Sequence, residues 1–219
     1  MKNLSGSFRS ASTLHILVAL VGVFLISNAF AAPTCPLSYG ATDAAKSFKF
    51  YLYFPTVDDA TFPAYTANAS PARIFDVVNL DSTIGTTAAL RNRIYDVVAD
   101  DYCEFNVQVV QTTTNPATLP SPPARRTTVA VGSDDPGGAW GQAQEVDIGD
   151  TINIDFARVW AGRYVTCEGG DGNGNCSATG SLTGTNSTLD RWAQAVGGTA
   201  AHEGGHTYGL SHSDDNPDV

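Results

Sequence analysis

The chain has 219 residues and a formal net charge of −10, with 22 acidic against 12 basic residues. This length provides enough residues for one domain with a single core. The acidic balance argues against a nucleic-acid partner, because binding a polyanion needs a basic stripe and the only local basic cluster is Arg125-Arg126. Acidity of this kind suits solubility outside the cell and favours calcium.

Residues 1–31 have the pattern of a secretory signal peptide. Two basic residues precede an apolar run over 16–30, which ends in the small-x-small sequence Ala29-Phe30-Ala31. The predicted mature chain, 32–219, has 219 − 31 = 188 residues and a charge of 10 − 22 = −12. Because the apolar run is shorter than the roughly 20 residues of a membrane span, we expect a secreted protein, extracellular or periplasmic, without a transmembrane anchor.

The next part of the chain alternates strand and helix patterns. Residues 48–54 form an apolar and aromatic run ended by Pro55, which predicts a strand. A helix is predicted over 86–102, because one helical face collects Leu90, Ile94, Val97 and Val98. The remaining strand predictions, with a Pro-rich connection at 116–123 between the first two, are 105–111, 127–131 and 152–160.

Four cysteines follow the leader, and their even number suggests two disulfides formed in an oxidising compartment. Cys167 and Cys176 are the favoured local pair, since a bridge between them would restrain the Gly-rich segment that they enclose. Cys35 would then pair with Cys103 by elimination. A zinc site built from these thiols is the alternative.

The segment between the last two cysteines spaces oxygen ligands in the way that a calcium loop begins. Its candidate ligands are Asp171, Asn173 and Asn175. The rest of the EF-hand pattern fails, because Cys176 stands at the expected glycine and Leu182 at the expected bidentate acid. Two interpretations remain open: a disulfide-tied turn, and a calcium site of another type.

The most informative feature is HEGGHTYGLSH, which runs from His202 to His212. A helix places His202 and His206 on one face, with Glu203 in the same turn. A catalytic zinc usually takes three protein ligands and keeps a fourth position for water. His212 can be the third ligand if the chain turns back after the helix, and Gly209 permits that turn because it has no Cβ.

The helix that carries this motif is predicted over 189–208, with Ser187 or Thr188 as its N-cap. Four glycines oppose that prediction, each at about 1 kcal/mol relative to alanine. They are Gly197, Gly198, Gly204 and Gly205. Every histidine outside the predicted leader belongs to the motif, since the only other one is His15. We expect metal binding by these histidines, together with tertiary packing, to offset the free-energy cost of the four glycines in the helix.

The motif resembles that of the metzincin clan of zinc endopeptidases, HExxHxxGxxH followed by a methionine-containing turn. Ser213 and the short stretch containing Asp and Pro that follows it are most similar to matrixins and their bacterial relatives. In such sequences the Met of the turn lies about eight residues beyond the third histidine, whereas the only methionine here is Met1. We therefore expect a catalytic domain truncated just before the Met-turn.

The resemblance implies an α+β (α/β-like) fold, the metzincin N-terminal subdomain. This fold has a mixed twisted sheet with a backing helix and an active-site helix, and the C-terminal subdomain would be missing. Matrixins carry a Gly-rich turn similar to residues 134–138, which leads into an edge strand where the substrate backbone pairs. The corresponding main-chain candidates are Ala139, Trp140, Gly141, Gln142 and Ala143, with an ordinary loop as the alternative. Gln142 stands where matrixins often place a histidine for a second, structural zinc, so we expect one zinc only.

The sequence thus predicts a secreted zinc-dependent endopeptidase acting on proteins or peptides. His202, His206 and His212 would hold the zinc, which lowers the pKa of bound water to about 7, and Glu203 would act as general base. The competing hypothesis is a secreted zinc-binding or adhesive domain without peptidase activity. The missing Met-turn favours it and Glu203 opposes it, because structural zinc sites are normally closed by a fourth protein ligand.

Overall fold

The computed structural model describes residues 46–62, 71–166 and 182–212. Their strands are β1 (Phe48–Tyr53), β2 (Val107–Thr112), β3 (Arg126–Gly132), β4 (Gly141–Ala143) and β5 (Ile154–Trp160). Their α-helices are α1 (Thr87–Asp101), α2 (Arg163–Thr166) and α3 (Leu189–His206). Short 3₁₀ turns occupy Val77–Asn79, Pro116–Thr118 and Gly184–Asn186. Within these residues, no helix is both long and apolar enough to cross a membrane.

The strands form one mixed sheet in the order β2-β1-β3-β5-β4. The first four run parallel, and β4 pairs antiparallel with β5 at one edge. Parallel strands require crossover connections, and α1 provides the one between β1 and β2. The chain therefore has a mixed α+β fold, as the sequence predicted at this level.

Helix α1 forms where the apolar periodicity predicted it. Thr86 caps its N-terminus, because the hydroxyl accepts a hydrogen bond from the Ala89 N–H. All four residues predicted to share its apolar face are buried: Leu90, Ile94, Val97 and Val98. They belong to the main core, which also takes Phe50 and Leu52 from β1 and Trp192 and Val196 from α3.

Two of the four α3 glycines are explained by close packing. A Cβ on Gly197 would lie 2.9 Å from the Val97 side chain of α1, and a Cβ on Gly204 would lie 2.1 Å from the Phe50 ring of β1. Without side chains at these positions, α3 lies close to both the backing helix and the sheet. A Cβ on Gly198 would meet nothing within 4 Å, so its helix penalty has no packing reason among the described residues.

The predicted strands form within one or two residues of their expected bounds, and α3 ends at His206 rather than Tyr208. The short helix α2 was not predicted. The expected leader over 1–31, Ser213 and the candidate calcium segment with Asp171, Asn173 and Asn175 lie outside the described residues.

The disulfide prediction is not supported at Cys103. This residue is a free cysteine, half-buried in the turn between α1 and β2. Its expected partner Cys35 lies outside the described residues, as do Cys167 and Cys176. A disulfide usually needs two Cα atoms about 4.4–6.8 Å apart. The number of cysteines does not show which pairs of Cα atoms come that close.

Candidate metal and catalytic site

Helix α3 delivers the motif and then stops sharply. Thr188 is its N-cap, accepting a hydrogen bond from the Arg191 N–H. After His206 the chain reverses through Gly209, whose φ of +85° lies in the left-handed region. The Gly209 N–H donates to the His206 carbonyl at 2.9 Å, and the Leu210 N–H donates to the Gly205 carbonyl at 3.0 Å. This C-terminal turn directs the chain back along the helix, as the sequence predicted from Gly209.

The turn brings all three motif histidines together. Their Nε2 atoms are separated by 3.1 Å (His202 to His206), 3.2 Å (His206 to His212) and 2.8 Å (His202 to His212). A tetrahedral metal bound at 2.0–2.1 Å holds two ring nitrogens about 3.3 Å apart. The three side chains therefore lie at metal-binding distance, and their donor set is the one that zinc accepts.

The ring of His206 is oriented by the main chain. Its Nδ1 lies 2.6 Å from the Leu210 carbonyl oxygen. Since a carbonyl only accepts, Nδ1 must carry the hydrogen, and in the neutral ring Nε2 then presents a lone pair to the other two histidines. His206 is also buried, with 8% of its surface exposed. A backbone carbonyl in this position is the usual means by which a protein fixes the tautomer of a metal-binding histidine.

Electrostatics also favour a neutral ring at His202. Burial lowers the pKa of His202, and the neighbouring His206 and His212 lower it further because a second positive charge would be repelled. Metal binding requires deprotonated imidazole nitrogens. The neutral form of His202, which can bind a cation, is therefore favoured.

Glu203, the residue after His202, is buried, with 8% of its surface exposed. Its carboxylate accepts a hydrogen bond from the Ala143 N–H of β4, but burial outweighs that bond and raises the pKa to about 7. The contact depends on Gly141, because a Cβ there would lie 2.6 Å from Glu203 Cγ. Glu203 is therefore held against the edge strand with a proton affinity suited to general acid–base chemistry.

The predicted substrate segment lies at this edge. Gly141, Gln142 and Ala143 form β4, whereas Ala139 and Trp140 belong to the turn before it. The Trp140 carbonyl accepts from Trp160 N–H, and the Gln144 N–H donates to Phe156 carbonyl, both towards β5. Antiparallel pairing alternates, so the main-chain groups of Gly141 and Ala143 point away from β5. The structure thus brings an edge strand to Glu203.

An apolar cavity of about 560 Å³ borders His202 on the α1 side of the cluster. Its lining includes the aromatic residues Phe48, Tyr102, Phe105 and Tyr208 together with Leu210. Phe105 and Leu210 are more than half exposed, at 54% and 63%. An apolar group that occupied this cavity would lie next to His202.

The loop between β4 and β5 contributes to the site, although no motif in the sequence predicts this role. In this loop the Asp147 N–H donates a hydrogen bond to the His206 carbonyl at 3.0 Å. The Asp147 carbonyl oxygen packs closely against Gly209, because a Cβ on Gly209 would lie only 2.9 Å from it. The loop thus supports the turn between the second and third histidines. The available signal was the concentration of acids at Glu145, Asp147, Asp150 and Asp155, but their convergence depends on tertiary structure.

Comparison of the chain with protein-family models, with curated proteins and with solved structures finds no match.

Proposed function

We propose that the chain is a secreted zinc-dependent endopeptidase. The observation that carries this proposal is the convergence of three Nε2 atoms within 3.2 Å of one another. Glu203, which follows His202 in the chain, adds a buried carboxylate that is hydrogen-bonded to an edge strand. Three histidine ligands leave a fourth position open for water, which is the arrangement of catalytic rather than structural zinc.

The proposed chemistry divides between the ion and the chain. Zinc, when bound, supplies a water of lowered pKa and polarises a substrate carbonyl. Glu203 takes the proton from that water and returns it to the leaving amine. Burial raises its pKa to about 7 in the metal-free chain, so the carboxyl group can hold a proton near neutral pH. The Leu210 carbonyl keeps the His206 ring in the metal-binding tautomer.

Substrate placement rests on β4. A peptide could add to the outer edge of the sheet through the main-chain groups of Gly141, which point away from β5. The Ala143 N–H is already bonded to Glu203 in this structure. Its position beside both the peptide edge and the carboxylate would align the scissile bond with the histidine cluster.

A second candidate function is a zinc-binding domain without peptidase activity. It is favoured by the same Ala143–Glu203 hydrogen bond, because a carboxylate held by main chain can tie α3 to the sheet edge without performing chemistry. This role would need the hydrogen-bonding capacity of residue 203 but not its negative charge.

Zinc content and casein or gelatin cleavage, measured together on the purified chain with a chelator control, separate the two candidates. We expect one zinc per chain and cleavage that the chelator abolishes. Glu203→Gln should keep the fold and the zinc but lower cleavage by at least about 100-fold, the lower range for losing general acid–base catalysis. Glu104→Gln, which changes an exposed acid in the turn between α1 and β2, is the matched control. Zinc binding without cleavage would support the second candidate, and normal cleavage by Glu203→Gln would refute the proposed mechanism.

A further inference from the structure

We propose that Asp147, Asp150 and Asp155 form a binding site for a calcium-type divalent cation beside the C-terminal end of α3. Their carboxylate oxygens lie within 4.8 Å of one another. Two ligands on opposite sides of Ca²⁺, each at about 2.4 Å, are about 4.8 Å apart, and Ca²⁺ prefers oxygen donors throughout. This inference goes beyond the zinc-dependent function and does not require it.

The sheet and one loop assemble the three carboxylates. Asp155 lies on β5 opposite Thr127 of β3. Side chains alternate along a strand, and Ala157 and Val159 face the main core whereas Phe156 faces the smaller cluster on the other side. Asp155 therefore points to the face covered by α3. The loop between β4 and β5 passes over the same face and contributes the other two acids.

The buried carboxylate of Asp155 is the group that needs a bound cation. Only 3% of its surface is exposed, and within the described part of the chain no group donates a hydrogen bond to its carboxylate. A buried carboxylate without a partner is costly. Burial raises its pKa to about 7, with further contributions from Asp147, Asp150 and Glu145. A cation between the three acids would supply the missing partner.

The neighbouring carboxylates are oriented but not saturated. Asp147 accepts hydrogen bonds from the Thr151 N–H and hydroxyl and from the Ile152 N–H, at 2.8–3.0 Å. These bonds fix its position, and each carboxylate oxygen has two lone pairs, so the group can still bind an ion. Asp150 is paired with Arg125 at 2.5 Å.

Charge at the site matches a divalent ion. Three carboxylates and the Arg125 guanidinium sum to −3 + 1 = −2 when all are ionised. The C-terminal end of α3 adds a negative partial charge, because the dipoles of the helix are aligned along its axis. The contact between Asp147 and His206 places that helix end against the loop.

A cation here would stabilise the zinc turn. The Asp147 main chain bonds His206, and Gly209 packs against the same loop. Holding the loop therefore holds the turn that carries His212. We expect calcium to raise the thermal midpoint of the chain whether or not zinc is bound, because the two ligand sets share no side chain.

Terbium luminescence tests the site directly. Tb³⁺ substitutes for calcium, and its emission is sensitised by nearby aromatic rings. Tyr208 provides such a ring close to the site. Burial raises the pKa of Tyr208, and the nearby Asp150 and Asp155 raise it further. The sample is protein saturated with zinc and freed of other metals. Added terbium should give emission that saturates, and calcium should displace the terbium and abolish that emission. Calcium should also raise the melting temperature by several degrees.

Two variants locate the ion. Asp155→Asn and Asp150→Asn should each weaken calcium and terbium binding by at least about tenfold, since each removes one charged ligand. Asp150 has a φ of +50°, which asparagine tolerates well, so this change preserves the backbone. Without calcium, Asp155→Asn should melt no lower than the unmodified chain, because the amide removes a buried charge. That result separates lost binding from misfolding.

Two controls complete the experiment. Asp96→Asn removes an exposed charge from α1 and should leave calcium binding unchanged. Asp171→Asn removes a candidate ligand from the other calcium segment that the sequence indicates. If the chain does not bind calcium, if Asp155→Asn binds it normally, or if only Asp171→Asn abolishes binding, the proposed site is wrong.

Discussion

The two candidate ion sites at the end of α3 differ in how the chain assembles them. The histidine cluster comes from one run of eleven residues, a helix turn followed by a reversal at Gly209. The carboxylate cluster combines a strand residue with two loop residues and needs the sheet before it exists. The first offers neutral nitrogen donors and the second charged oxygen donors. On the proposed assignments, one helix end would support two ions of opposite chemical preference.

The sharpest test of this comparison removes one histidine. His212→Ala should lower zinc affinity by at least about 100-fold. Losing a group that only hydrogen-bonds a metal ligand already costs up to about 100-fold, and this change removes a ligand itself. Calcium binding should stay within about twofold, since His212 provides no group to the carboxylate cluster. Zinc and calcium titrations of the same preparation measure both. Equal loss of both ions would show that the two sites are one cooperative unit.

Replacing a glycine beneath the histidines should have the next largest effect. Gly204→Ala forces a Cβ to within 2.1 Å of the Phe50 ring, which must shift or push α3 off the sheet. Overpacking of this kind costs about 1–3 kcal/mol in the free energy of unfolding. Gly198→Ala is the matched control on the same helix, because its Cβ meets nothing within 4 Å. It should stabilise the chain by about 0.5–1 kcal/mol through helix propensity.

Chemical denaturation of the two variants distinguishes packing from propensity. If Gly204→Ala is as stable as Gly198→Ala, then α3 does not lie as close to β1 as the structure has it.

The turn between the second and third histidines gives a smaller effect. Gly209→Ala places a Cβ in the left-handed region and 2.9 Å from the Asp147 carbonyl oxygen. The expected cost is about 1–2 kcal/mol from left-handed strain, with zinc weakened as well. Gly138 has the same φ of +85° but open space around it. Gly138→Ala therefore measures the strain alone, and equal destabilisation by both variants would mean that the loop does not support the turn.

The sequence predicted the features that local spacing controls. The helix face of α1, the positions of the four longer strands and the histidine turn follow from residue patterns or from Gly209. The end of α3 was placed two residues too late, because the deciding contacts are tertiary. The Thr207 hydroxyl donates to the Gly204 carbonyl at 2.7 Å and lies 2.8 Å from the Thr127 hydroxyl of β3.

Long-range convergence explains what the sequence could not predict. Asp155 reads as an ordinary polar position in a strand, and only the burial of β5 under α3 makes it an unpaired buried acid. The contact between Gly141 and Glu203 likewise joins residues far apart in sequence. The edge strand was expected from the family resemblance, not from its residues, because three strand residues are too few to give a periodic pattern.

The pH dependence of stability tests the carboxylate cluster in the absence of calcium. Asp155 has a pKa of about 7 in the folded chain and about 3.9 when unfolded. Between these values the folded state holds a proton that the unfolded state has released, so stability falls as pH rises and levels off above pH 7. The titratable groups near Asp155 are Asp147, Asp150, Glu145 and Tyr208, with Arg125 paired to Asp150.

Asp155→Asn isolates that contribution, because every other titrating group is common to both proteins. The free energy of unfolding of Asp155→Asn, minus that of the unmodified chain, should rise by about 1 kcal/mol per pH unit between pH 5 and pH 6. Denaturation with a chelator at several pH values measures the difference. Calcium should reduce the slope, since the ion favours the ionised carboxylate and lowers its folded pKa. A stability difference that does not change with pH would mean that Asp155 is ionised and solvated in the folded chain, contrary to its burial.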